Sequence, residues 1–389
     1  MVNQETKSSD KKNPRVMHFV PYFLPHQGGL EMYVKEWAEN YVKIGGECSI
    51  VTFSGGQKEK ELYREENGYN IIILPAFDIV NSFPFPKFWK IDFWRGISAA
   101  KKWKADVIHT HTRFFVSSFL GGLLSKIWKT LWIHIEHGSG FVVTKNILIS
   151  FFSRLYDITF GRIILFAAND IIAISEACRD FISTEFGIKN VPVIYRGINY
   201  VIPKVEKNFN EIRIGYVGRL VDLKGVDVLI NAFAIFLKGY KDNKDIKLII
   251  IGDGPERKKL ESLVEGLGIG DMVNFLGIQG SEKVRSEYLP SFHIFVNPSF
   301  QEGLPTSVME AIVAGCNVIA TDVGGTREIY KKISFTLIEP KRIDLLSKAI
   351  TREVSLIKDS ELSKYPISLF SWADTFKGFL KMYGLHNLN

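Results

Sequence analysis

Two carboxylates stand eight positions apart in FQEGLPTSVMEAIVAG, residues 300 to 315, a stretch otherwise patterned as buried helix. An unpaired buried carboxylate costs several kcal/mol or shifts its pKa until it is neutral, so Glu302 and Glu310 need partners. Pro305 suits the first turn of a helix running to about Ala314, because its missing N–H is not needed there. Glu302 and Gly303 then fall in the preceding loop, and Glu310 lies more than a turn inside. With the Gly303 and Leu304 amides, the helix N-terminus makes an anion site bracketed by two acceptors, suited to hydroxyls of a sugar and of a ribose. A capping acid plus a buried acid paired with Lys or Arg fits the same residues.

Elsewhere the chain offers cations and glycines of matching use. GRLVDLKG, residues 218 to 225, sets Arg219 and Lys224 on a loop after a strand that ends in Gly218. Such a pair suits a diphosphate, the arginine as a fork and the lysine as a point charge; two solvated loop charges read the same way. Gly28 and Gly29, between the first strand and first helix, let backbone approach a phosphate or sugar, or simply shape a turn. The pattern is not GxGxxG, which leaves a Rossmann dinucleotide reading unsupported. His109, His111, His134 and His137 end two further strands, with His109 and His111 on one sheet face. No ring of acids surrounds them, so no metal is expected.

These residues need strands and helices to hold them. From Arg15 to about Tyr195 short apolar runs alternate with helical patterns, in RVMHFVPYF, ECSIVTF, YNIIILPAF, ADVIHTH, LWIHIEH, DIIAIS and VPVIYRG. The rhythm lapses in VIPKVEKNFNE and restarts with IRIGYVGRL, IKLIIIGDGP, MVNFLGI, HIFVNPS and CNVIATDVGG. Strands alternating with helices predict doubly wound α/β domains with parallel sheets, whose ligands bind at strand carboxyl ends. The expected division is a disordered lead-in over 1–13, a first domain over 14–199, a linker over 200–211, a second domain over 212–365, and a terminal helical segment, 366–389, packing back on the first domain. At 389 residues, two domains also fit the size limit of a single core. Cys48, Cys178 and Cys316 are odd in number and far apart, which argues against a disulfide framework and a zinc site and for a reducing compartment. The polar first residues have no signal-peptide core, and Arg154, Asp157 and Arg162 interrupt the apolar stretch 147–168, so export and membrane spanning are not expected.

Taken together, GGLEMYV, VGRLVDLKGVDVLINAF, IIGDGPERKKL and EGLPTSVMEAIVAGCNVIATDVGGTREI resemble the retaining glycosyltransferases of family 4. The resemblance runs from about residue 15 to the terminal helix. It implies the GT-B fold, two facing Rossmann-like domains with a cleft between them. It also implies that Glu302 faces the donor sugar and supports the reacting centre, while Glu310 binds ribose hydroxyls. Arg219 and Lys224 match the pair holding the donor diphosphate, with Gly218, Gly303, Leu304 and Pro305 around it and Gly28 and Gly29 as the first-domain loop over it. His137, in IEHGSG, matches a histidine beside acceptor and donor sugar; His111 is placed on the acceptor side. Where the family commonly has Asn-Gly-Val-Asp this chain reads RGIN, residues 196–199, a departure expected to change local donor contacts, and Arg196 is placed with His111 on the acceptor side.

The implied activity is transfer of a sugar from a UDP- or GDP-linked donor with retention, without cofactor or metal, in polysaccharide or glycolipid assembly. Residues 86–104, PKFWKIDFWRGISAAKKWK, interleave six basic residues with five aromatics and one acid. Together with a net charge of +7, this favours an anionic membrane surface and a lipid-linked or glycan acceptor, with the protein cytoplasmic and peripheral on the inner face. A soluble small acceptor, or a non-catalytic nucleotide-sugar-binding protein, are the rival readings. Nucleic acid is not expected, because no recognised binding motif occurs.

Overall fold

A computed structural model describes residues 13–385, except 27, 55–61, 81–82, 143–146, 199–206, 209, 242–244 and 359–369. The lead-in through residue 12, Asn199, most of the expected linker and both ends of segment 366–389 lie outside the described residues. By its contacts the chain divides into two units. Of the described residues, the first holds those up to Glu136, Leu155–Ile172 and those from Phe376, and the second holds those within His137–Arg154 and Ala173–Thr375.

The first unit is built on a seven-stranded sheet in the order Tyr63–Glu66, Tyr69–Leu74, Glu47–Phe53, Arg15–Phe19, Val107–His111, Leu131–Glu136, Asp170–Ala173. The inner pairs run parallel, and Tyr63–Glu66 is antiparallel to its neighbour. Met17, Phe19, Val51, Phe53, Ile72, Leu74 and Ile108 pack together with Phe93, Ile97 and Ala100 of the helix Ile91–Trp103. Such continuous apolar runs mark strands buried on both faces. The terminal helix, Trp372–Leu385, brings Phe376 and Phe379 edge-on to Trp37, and Tyr383 Oη lies 3.1 Å from His109 Nε2.

The second unit carries a six-stranded parallel sheet, ordered Val273–Gly277, Asp245–Ile251, Glu211–Val217, Ile294–Asn297, Asn317–Thr321, Thr336–Ile338. Its core joins Ile212, Ile214, Leu248 and Ile250 to Val226, Leu229, Phe233 and Phe236 of the helix Val226–Gly239. One expected strand is corrected: VPVIYRG forms only an isolated bridge, Val193 to Ala173. Just beyond it, a methyl on Gly197 would overlap the Trp372 backbone. The sequence reading also missed Tyr63–Glu66, Thr336–Ile338 and a hairpin of Ala76–Val80 with Phe83–Pro86. All three cysteines are buried and none is in a disulfide.

Candidate active site

The central feature lies at the carboxyl ends of two strands of the second unit. After Ile294–Asn297 the chain places Asn297, Ser299 and Glu302 within a few residues; after Glu211–Val217 it places Arg219 and Lys224. Lys224 Nζ donates to Glu302 Oε1 at 2.6 Å. Ser299 Oγ lies 2.6 Å from the same oxygen and 2.8 Å from Asn297 Oδ1, so its single proton faces two acceptors. Asn297 Nδ2 adds a longer contact, 3.4 Å, to Oε1. Glu302 is thereby held by a cation and two neutral groups while 10% of its side chain stays exposed. Its partner among the protein's own side chains is Lys224, the lysine pairing that the residues also allowed beside a ligand hydroxyl. A charge-assisted contact of this length is the strong kind.

Backbone stitching fixes both loops. Lys224 ends a single turn, Asp222–Lys224, and Gly225 follows with φ +62°, where a side chain would strike the Pro298 carbonyl oxygen. Phe300 N–H donates to the Leu223 carbonyl at 2.7 Å, and Tyr216 Oη donates to the Arg219 carbonyl at 3.0 Å. Burial, with Glu302's charge adding to it and Arg219's opposing it, pushes the Tyr216 phenol far up, so it stays a donor. Arg219's side chain is exposed. Gly218 packs so closely that a methyl on Gly252 would overlap its carbonyl.

A second segment borders the glutamate loop. Ser139 Oγ donates to the Glu302 carbonyl at 2.6 Å, and Ser175 Oγ donates to that of Gly303 at 2.8 Å. A side chain on Gly303 would strike the His137 carbonyl oxygen, and one on Gly140 would meet Gln301 Nε2 at 2.5 Å. His137 thus lies against the Glu302 loop, as does the turn Gly324-Gly325, whose Gly325 N–H donates to the Gly303 carbonyl.

The expected helix is present as Thr306–Val313, with Pro305 as its N-cap residue. Glu310 sits inside it, 3.8 Å from Arg285 Nε, so it too has a cation near it. Leu304 is buried, and Arg196, also buried, donates from Nη1 to Thr306 Oγ1 at 3.0 Å, which sets it beside this helix's first turn. Glu328 accepts from the Glu176 and Ala177 amides at 2.8 and 3.0 Å and from Tyr195 Oη at 2.9 Å, capping the helix Glu176–Phe186. Asn297, Ser299, Ser139 and Glu328 were not foreseen. Their only signal in the sequence is a polar residue at the end of an apolar run.

Other candidates sit in the first unit. Gly28 precedes the helix Gly29–Lys43 in extended conformation, and a methyl on it would overlap the Glu31 carboxylate, which meets His26 Nδ1 at 2.9 Å. His111 is fully buried; its Nε2 lies 2.9 Å from His18 Nδ1, and its ring stacks on His18 at 5.1 Å. His109 shares that face, 4.9 Å from His18. Among the described residues no three His, Cys, Asp or Glu side chains are grouped to hold a metal ion.

Comparison with known proteins agrees with this architecture. Residues 201–368 match the model for glycosyl transferases group 1, and residues 27–200 that for glycosyltransferase family 4. An uncharacterised glycosyltransferase of Methanocaldococcus jannaschii is 29% identical over 95% of this chain and 98% of its own length. A phosphatidylinositol N-acetylglucosaminyltransferase component from Arabidopsis thaliana is 25% identical over 93% of this chain and 80% of its own. Among solved structures, sucrose-phosphate synthase of Thermosynechococcus elongatus superposes with a TM-score of 0.75 at 20% identity, covering 97% of this chain and 100% of that one. Anabaena HepE, solved with UDP and glucose, gives 0.67 at 17% identity, covering 90% and 91%. Two Rossmann-like α/β units, with a family match over residues 27–200 and another over residues 201–368, place this chain in glycosyltransferase family 4, with the GT-B fold.

Proposed function

We propose that this glycosyltransferase moves a hexose, with retention, from a UDP- or GDP-linked donor to a hydroxyl of a lipid-linked or glycan acceptor at an anionic membrane surface. The observation that carries the reading is the 2.6 Å pair between Lys224 and Glu302 beside the Thr306–Val313 helix. A diphosphate leaving group needs cations, and Lys224 with exposed Arg219 supplies them on a loop held by backbone contacts, so little reorganisation is required. Retention without an enzymic nucleophile corresponds to a front-face displacement. The bond from the anomeric carbon to the diphosphate oxygen breaks, the acceptor oxygen bonds the same face, and the acceptor proton passes to the departing phosphate oxygen. Glu302 would accept hydroxyl protons of the donor sugar and stabilise positive charge at the reacting carbon; Glu310 would accept from the ribose.

The relatives named for phosphatidylinositol N-acetylglucosaminyl transfer support a lipid acceptor, and HepE's UDP and glucose support a nucleotide-sugar donor. No described helix is long and apolar enough to cross a membrane, and the proposed attachment is peripheral, on the inner face. The test is release of nucleoside diphosphate from a panel of UDP and GDP sugars, with the anomeric configuration of the product read by NMR. Turnover of one donor with retained configuration, undiminished by excess chelator, is expected. Inversion, or loss of turnover in chelator that returns with a divalent ion, would overturn the mechanism. Donor binding with no turnover on any glycan or lipid-linked acceptor would favour a non-catalytic nucleotide-sugar-binding protein.

A further inference from the structure

One helical face of the first unit is inverted relative to the water-facing norm. The helical stretch Ile147–Tyr156 continues without a break through a wide π turn, Asp157–Gly161, into Arg162–Ala167. From Leu155 onward its inward positions include Asp157 and Gly161 besides Ile164 and Leu165. Its outward positions are Leu155, Ile158, Phe160, Ile163 and Phe166, the last two 53% and 57% exposed. A helix facing water buries its large apolar side chains and shows its charges. Here the carboxylate points inward because Arg113 waits there: Arg113 Nη2 lies 3.1 Å from Asp157 Oδ2, and Nη1 lies 3.0 Å from Glu136 Oε2. Gly161 clears the way, since a methyl on it would meet Asp157 Oδ1 at 3.1 Å.

The neighbouring helix, Val116–Trp128, extends the same face. Phe119 meets Phe160 edge-on at 5.7 Å, and Leu123 and Ile127, four and eight positions further on, are 49% and 61% exposed. Charge completes the pattern. Between Val107 and Asn169 the only acids are Glu136 and Asp157, both fully buried against Arg113, whereas Lys126, Lys129 and Arg162 are exposed. An exposed surface that is apolar and aromatic, edged by cations and without an exposed acid, is complementary to an anionic bilayer, whose headgroups take the cations while its acyl boundary takes the side chains.

We propose that this two-helix face, rather than the basic segment 86–104, is the surface by which the protein docks on anionic lipid. The inference rests on the membrane-surface part of the proposed function and deepens it. Segment 86–104 also exposes Phe88, Trp89, Ile91 and Trp94, but its helix turns Phe93, Ile97 and Ala100 into the core.

The experiment is flotation with vesicles of phosphatidylcholine alone and of phosphatidylcholine with phosphatidylglycerol. It compares wild type, L155S/I158S/I163S/F166S, K126E/R162E and W89S/W94S, with sedimentation to read self-association. Because the altered residues are exposed, all variants are expected to keep the wild-type melting temperature and nucleoside diphosphate release from soluble donor. Wild type should float with the anionic vesicles alone. The four-serine variant should lose tenfold or more of its partitioning, the charge variant a comparable amount, and W89S/W94S little. Binding lost in W89S/W94S but kept in the four-serine variant would overturn this face while leaving membrane action standing. Equal flotation with neutral vesicles would remove the charge argument. A dimer split by the four-serine change would assign the face to a second copy. Wild type that floats with neither vesicle would sink the docking face and the membrane reading together, with transferase activity judged separately by donor turnover.

Discussion

At the scale of single residues, Lys224 and Glu302 are coupled, and their substitutions should show it. Glu302→Gln keeps the shape but removes the charge that Lys224 and Ser299 address at 2.6 Å, and we expect turnover to fall by about 10²- to 10³-fold, the usual loss for a transition-state charge contact. Lys224→Met should cost a similar factor. The double variant should lose far less than the product of the two, because each single change also strands the other group. Losses that multiply in steady-state kinetics would show that the pair does not act as one unit. Glu310 belongs to a different class. It sits inside the helix, 3.8 Å from Arg285, so Glu310→Ala should raise KM for the donor about tenfold with a smaller change in kcat. Equal losses in kcat and kcat/KM would instead put Glu310 at the reacting centre.

At the scale of elements, the loops matter through what they cannot accommodate. Gly324 has φ +49°, and a methyl there would overlap the Glu302 carbonyl oxygen and meet Ser139 Oγ at 3.2 Å. Gly324→Ala should therefore cost about 2 kcal/mol or more in stability and at least tenfold in turnover, as it displaces the Glu302 loop. Gly315, φ +74°, has open space around its missing Cβ; Gly315→Ala should cost only about 1 kcal/mol and leave turnover intact. Thermal denaturation and donor turnover of the two variants read the contrast, and similar activity in both would dismiss the steric account. The same distinction explains what the sequence made legible. Parallel strands such as Asp245–Ile251 read clearly because burial on both faces demands unbroken apolar runs, whereas VPVIYRG has such a run and yet forms one bridge, since its continuation is taken up by Trp372 and the Thr306 turn. Lys224 and Glu302 were legible as charged residues in unusual company. Ser139, Ser175 and Gly324 were not, because they act through backbone proximity to residues distant in the chain, which no local spacing records.

At the scale of the whole chain, residues from its far end complete the core of its beginning, and that core holds histidines that must stay neutral. His18 and His109 are fully buried beside Trp37, and Tyr383 of the terminal helix meets His109 Nε2 at 3.1 Å. Burial lowers His109 to about 3 and drives His18 well below its ordinary range, with His109 adding to the second effect. In the unfolded chain both rings protonate near 6.5, so on acidification the unfolded state binds more protons and stability falls, by about 1.4 kcal/mol per pH unit for each histidine. Asp157 works in the opposite sense: burial, opposed by Arg113, raises it to about 6, so the native state takes up a proton that the unfolded chain binds only near 4. Between pH 6 and 4 the loss from the two histidines outweighs the gain from Asp157, so stability falls on acidification. His109→Gln removes that histidine's contribution and the part of the His18 lowering that His109 causes, so the stability of the first unit should fall less steeply with acidification in the variant than in wild type, whatever its absolute stability. Native-state hydrogen exchange of the Val107–His111 amides, corrected for intrinsic rates, reads the slope in that unit. An unchanged slope in the variant would mean that His109 already carries a proton in the folded protein, and that the aromatic packing under the terminal helix tolerates a charge.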